Sequence, residues 1–133
     1  MAMPHFKISK LLTNTDITTR KLELPTLILE YIPFMKGDHS MDLKAADIWG
    51  QEWELHYYTR PTGQKCPVFT TGWRQFDEAK RLQVGDEFIF YGHQVRVADG
   101  ELKMLYMIEV KRLISMTFQG ESNIITLDVE YLA

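Results

Sequence analysis

Val68-Phe-Thr-Thr-Gly-Trp73-Arg-Gln-Phe76 and, soon after it, Leu82-Gln-Val-Gly-Asp86-Glu-Phe-Ile-Phe90 decide how this 133-residue chain is read. A short apolar run, Val68-Phe69, meets the polar break Thr70-Thr71-Gly72. The next segment, Trp73 to Lys80, has helical spacing: Trp73 and Phe76 fall three apart on one face, with Asp77 and Lys80 assigned to the other. Val84-Gly85-Asp86 is a turn signal, and beyond it Phe88 and Phe90 alternate with Glu87 and Ile89 as in a half-buried strand. Gly72 and Gly85 are expected to hold positive φ or a tight turn. Asp86 is expected to bond turn amides.

Outward from this stretch the period is mostly two. Phe6 and Ile8 alternate with Lys7 and Ser9; Leu22 and Leu24 with Lys21 and Glu23, until Pro25 stops the strand. Met41, Leu43 and Ala45 alternate with Asp42 and Lys44. Trp53, Leu55 and Tyr57 alternate with Glu54, His56 and Tyr58. Met104, Tyr106, Ile108 and Val110 alternate with Leu105, Met107, Glu109 and Lys111. With Val68-Phe69 this makes about seven strands. A second short helix is expected from Thr26 to Tyr31, with Thr26 as N-cap. After Arg112, Ile125, Leu127, Val129 and Tyr131 form one more alternation, entered through a turn at Gln119 to Asn123. The fold class is therefore mainly β: a seven-stranded open pseudobarrel with two short α-helices and an extra C-terminal strand. Trp53, Trp73, Phe76, Phe88 and Phe90 are its expected core.

Composition narrows the function. Hydrophobic residues make up 45% and charged residues 25%, an ordinary globular balance. Residues 1–133 are expected to form one domain. No apolar run approaches a membrane span, and the first residues lack the pattern of a signal peptide. The single cysteine, Cys66, excludes a disulfide within the chain and argues against a cysteine zinc site. His5, His39, His56 and His93 have no zinc spacing, and no cofactor is expected. The net charge is −3, but it is unevenly spread. Lys7, Lys10, Arg20 and Lys21 against Asp16 give residues 7–21 a charge of +3. Arg60, Lys65, Arg74, Lys80 and Arg81 against Asp77 and Glu78 give residues 56–81 another +3, leaving −9 elsewhere. Acidic surface is separated from two basic segments.

Four motifs in order carry a family resemblance. Lys10-Leu-Leu-Thr-Asn-Thr-Asp16 with Lys21-Leu-Glu-Leu-Pro25 is similar to the opening of the plant B3 DNA-binding domain. Asp47-Ile-Trp-Gly50-Gln-Glu-Trp53-Glu-Leu55 resembles that family's Asp-x-x-Gly-x-x-Trp turn. The Gly72-Trp73 and Gly85-Asp86 segments quoted above resemble its two remaining signatures. The resemblance runs from residue 6 to residue 112 and leaves 113–133 as an extension.

What the resemblance implies is a DNA-binding module of a nuclear transcription factor, not an enzyme. Two arms would enter the major groove of double-stranded DNA: Thr13 to Lys21 between the first two strands, and Thr59 to Pro67 between the Trp53 and Val68 strands. These coincide with the two basic segments. Arg20 and Arg60 can offer a fork to guanine O6 and N7, and Gln64 can pair with adenine. Lys21 and Lys65 suit phosphates, which position the protein without reading sequence. Thr15, Thr18, Thr19 and Thr62 suit phosphates or thymine methyls, and Lys10 lies beside the first arm within reach of the backbone.

The first arm is shorter than the commonest form and lacks an early Lys, and the net charge is negative. These departures keep a second reading alive: a degenerate B3-fold interaction domain that holds a protein partner or a second copy through the C-terminal strand, Ile124 to Leu132. A third reading is a metal-dependent nuclease, because Asp86 with Glu101-Leu-Lys103 mimics an Asp…Glu-x-Lys pattern.

Overall fold

The structure is a computed structural model that describes residues 4–19, 21–34, 37–60, 66–118 and 120–128, the last segment and 115–118 as backbone only. Arg20, Thr62, Gln64 and Lys65, four of the expected contact residues, lie outside the described residues.

In chain order the elements are β1 (Phe6–Leu11), α1 (Asn14–Thr18), β2 (Leu22–Glu23), α2 (Ile28–Tyr31), β3 (Ser40–Ala46), β4 (Glu52–Tyr58), β5 (Val68–Phe69), α3 (Trp73–Lys80), β6 (Glu87–Arg96), β7 (Leu102–Phe118) and β8 (Glu121–Asp128). Seven strands follow one path, β1-β6-β7-β3-β4-β5-β2, with β8 paired to β7. All neighbours are antiparallel except β3 and β7, which run parallel at Ala45–Tyr106 and Ala46–Met107. The path leaves β1 and β2 as its two ends, so the sheet curls without a backbone ladder closing it.

The alternations predict the inside of this sheet well. Phe6, Ile8, Leu43, Ala45, Leu55, Tyr57, Phe88, Phe90, Ile108 and Val110 join one buried cluster, capped by Trp73 and Phe76 of α3. Phe69 meets Phe88 and Phe90 edge to face at 6.4 and 5.4 Å, and Trp73 meets Phe88 at 5.3 Å. Each fully buried aromatic contributes about 1.5–3 kcal/mol of transfer free energy. Trp53 is only half-buried; its ring packs edge-on against Phe76 and its indole N–H turns to a carboxylate.

Four expectations need correction. The first arm contains a helix, α1, so there are three short helices among the described residues where two are expected. Thr13-Asn-Thr-Asp16 is a capping box: Thr13 Oγ1 accepts from Asp16 N, and Asp16 Oδ2 accepts from Thr13 N. In α2, Thr26 is not the N-cap. Residues 26–27 form a turn, and Leu27 caps without a side-chain bond.

Lys80 is buried, not on the polar face of α3. It stands seven residues after Trp73, and two turns of a 3.6-residue helix return it to the same side. The last correction concerns the C-terminal region. β7 runs unbroken through Arg112 to Phe118, and Phe118 pairs with Glu121, so β8 begins at Glu121, earlier than expected. Lys111 pairs with both Glu87 and Asp128, which places β6 and β8 on opposite edges of β7. Residues 129–133, the end of the expected strand, lie outside the described residues. Among the described residues no helix is long and apolar enough to cross a membrane.

Candidate nucleic-acid interface

Each motif aspartate is buried and holds a cation, and each such pair fixes a loop. Asp16 of α1 is 1% exposed and takes Lys10 Nζ at 2.9 Å. The same ammonium donates to the Glu23 carbonyl at 2.7 Å. The indole N–H of Trp73 donates to the Asp16 carbonyl at 3.0 Å. The first arm is thus tied to β1, β2 and α3 at once.

Asp47 performs the second fastening. Oδ1 accepts from the backbone N–H groups of Trp49 and Gln51, and Oδ2 from the Trp53 indole at 3.0 Å and Lys80 Nζ at 2.8 Å. Lys80 also lies 5.4 Å from the centre of the Trp53 ring. Burial alone would push the Asp47 carboxyl up, but the bonds from Lys80, Trp53 and Gln51 outweigh it and hold it below its ordinary value. These bonds give the Asp, the turn and the Trp of this segment a physical reason for their spacing.

Asp86 bonds the Gln83 amide, as expected, and also takes Arg112 through Nε at 2.8 Å and Nη2 at 2.9 Å. These bonds hold the Arg112 guanidinium still further above its ordinary value. Gly72 has φ 97° and Gly85 φ 93°, as expected. At Gly72 a Cβ would also drive into the Glu54 carbonyl oxygen, so α3 approaches β4 only because the residue is glycine.

This frame presents the two arms. On the first, Thr15, Thr18, Thr19 and Lys21 are all exposed. Thr18 and Thr19 donate their hydroxyl protons to the carbonyls of Asn14 and Thr15 at 2.9 and 2.6 Å. Their methyl groups and acceptor lone pairs remain to meet a ligand, whereas donation to a phosphate requires breaking those bonds. The second arm begins one residue later than expected. Thr59 is 1% exposed and its N–H donates to the His39 carbonyl, so it belongs to the barrel end. Arg60 is exposed. At the far base, the Pro67 carbonyl accepts from Leu24 N at 2.9 Å.

A groove of about 490 Å³ is lined by both Lys21, at the end of the first arm, and Arg60, at the start of the second. Its floor is the outer face of β2, β4 and β5: Glu23, His56, Tyr58, Val68 and Thr70, with the exposed Cys66 beside them. His56 Nδ1 lies 2.7 Å from Asp42 Oδ1 on β3. Sequence reasoning did not single out His56, Tyr58 or Arg112. Only the strand pairing shows that the outward positions of β4 floor a groove reached by both Lys21 and Arg60. The capping box at Thr13 and Asp16 was a readable signal for α1.

The nuclease pattern does not assemble. Glu101 lies at the tip of the β6–β7 hairpin, whereas Asp86 precedes its base, where Glu87 pairs with Lys111. Ten paired residues separate the two, roughly 30 Å at the rise of a strand. Among the described residues no three His, Cys, Asp or Glu side chains converge as a metal site would require.

The sequence profile of the B3 DNA binding domain matches residues 8–106. The chain belongs to the B3 family. Putative auxin response factor 15 of Arabidopsis thaliana is 30% identical to this B3 domain over 125 residues, 90% of this chain and 20% of the relative. Auxin response factor 7 of rice is 34% identical over 85 residues, 64% of this chain and 11% of the relative. The chain thus spans a fifth or less of these relatives.

Among solved structures, the Arabidopsis FUS3-DNA complex matches with TM-score 0.57 and 21% identity, covering 76% of this chain and 93% of that one. The Arabidopsis thaliana LEC2-DNA complex matches with TM-score 0.59 and 17% identity, covering 75% and 88%. Both share the fold of this B3 domain. The β8 strand lies beyond the residues that the profile matches.

Proposed function

We propose that this B3 domain binds double-stranded DNA with sequence preference, gripping the major groove between its two arms, as a module of a nuclear transcription regulator. One observation carries the reading: Lys21 of the first arm and Arg60 of the second line a single groove, although they are far apart in sequence. Two structural neighbours, FUS3 and LEC2, are complexes with DNA, which supports the same partner for this chain.

In this reading Arg60 reads a base edge and Lys21 contacts phosphate. Arg20, Gln64 and Lys65 are proposed to share these roles, Arg20 and Gln64 at bases and Lys65 at phosphate. Thr15, Thr18, Thr19 and Thr62 contact thymine methyls or the backbone. Lys10 positions the first arm, because its ammonium already bridges Asp16 and Glu23. The buried ion pairs act as a rigid mount, so no catalytic role is assigned.

Guanine methylation tests the groove. The N7 atom of guanine lies in the major groove, so its methylation should block binding of a selected duplex at one or two positions. Minor-groove ligands should leave binding intact. Loss of binding to the minor-groove ligand alone would overturn the proposed docking.

A further inference from the structure

The groove floor contains a histidine whose ring is already oriented. His56 Nδ1 sits 2.7 Å from Asp42 Oδ1. An ionised carboxylate only accepts hydrogen bonds, so Nδ1 carries the hydrogen. In the neutral ring Nε2 then has a lone pair and cannot donate. Only the doubly protonated ring offers an N–H there.

His56 lines the groove together with Lys21 and Arg60, and its side chain is 35% exposed. The charged groups around it are mixed. Asp42 of β3, Glu23 of β2, and Glu52 and Glu54 of β4 favour the imidazolium. Lys21, Arg60 and, on the outer face of β3, Lys44 oppose it, with Tyr58 and Cys66 alongside. A phosphate backbone in the groove would neutralise the groove cations Lys21 and Arg60 and add negative charge beside the ring. Both changes favour the protonated form.

We propose that His56, oriented by Asp42, is a phosphate-contacting residue of the groove floor, and that DNA binding by this domain therefore takes up a proton. The inference rests on the DNA-binding reading above. Its sign is fixed: affinity rises as pH falls through the imidazole range, because the bound state holds the proton more tightly than the free state.

The test is fluorescence anisotropy of a labelled random-sequence duplex at low salt, with the whole chain. The affinity of the unmodified protein should rise on the order of tenfold as pH falls from about 8 to about 5. His56→Gln should bind with a flat profile across that range. Asp42→Asn removes the anion that favours imidazolium and should move the rise to lower pH. His93→Gln, on β6, should keep the original profile. A flat profile in the unmodified protein, or an undiminished rise in His56→Gln, would overturn the proposal while leaving DNA binding intact. No duplex binding at any pH would overturn the DNA-binding reading itself, and this inference with it.

Discussion

Nζ of Lys10 on β1 lies 2.7 Å from the carbonyl oxygen of Glu23 on β2, so one side chain joins the two free ends of the sheet. The same ammonium satisfies the buried carboxylate of Asp16. A short arm is thereby held against an open seam that no backbone ladder closes.

Lys10→Met keeps the apolar stem and removes the charge. Asp16 then loses its cation in a buried site, and the fold should lose roughly 2–3 kcal/mol, read from denaturant midpoints. Because Lys10 positions the arm and is not a phosphate contact, the slope of affinity against salt should stay as in the unmodified protein. A slope smaller by about one would return Lys10 to the phosphate contacts.

Trp73→Phe separates packing from fastening. The aromatic core is largely kept, but the Asp16 carbonyl loses its indole donor. Stability should fall by about 1–3 kcal/mol. The amides of 14–18 should exchange with solvent faster than those of β6. Equal protection in both elements would show that the indole bond does not hold α1.

Asp47 gives the domain an acid sensitivity. Its carboxyl is held below the ordinary value in the folded protein. Its contribution is complete above the unfolded carboxylate pKa and is lost as pH falls through the lower folded value. Asp47→Asn should therefore cost roughly 2–4 kcal/mol at neutral pH. The gap from the unmodified protein should shrink on acidification below about pH 4. Thermal unfolding across pH checks this, and a pH-independent gap would contradict it.

Lys21→Ala tests the phosphate role. Binding should weaken on all duplexes about equally, and the salt slope should fall by about one. A changed sequence preference would instead assign Lys21 to a base.

The sequence made most of the barrel legible because side chains of period two leave no choice of face. Phe88, Phe90, Ile108 and Val110 are buried where alternation put them. The four motifs bracket the two segments proposed as arms. Lys80 is misleading in the sequence because its charge outweighs its position: a buried lysine is recognisable only once Asp47, 33 residues away, is known to receive it. α1 is hard to see in the sequence because Asn14-Thr15-Asp16 is also turn chemistry, with which its capping box competes. His56 faces outward as expected. That its outward side is a groove floor depends on the meeting of β2, β4 and β5, which periodicity does not encode.

The central claim is that the groove shared by Lys21 and Arg60 reads DNA. Selection from a pool of random duplexes, run in parallel with the unmodified protein and Arg60→Ala, tests it most directly. The unmodified protein should enrich one motif. Arg60→Ala should fold normally, lose roughly 1–3 kcal/mol of affinity and relax the preference at one base pair of that motif. No enrichment even at low salt, or the same motif recovered at full strength by Arg60→Ala, would contradict the account.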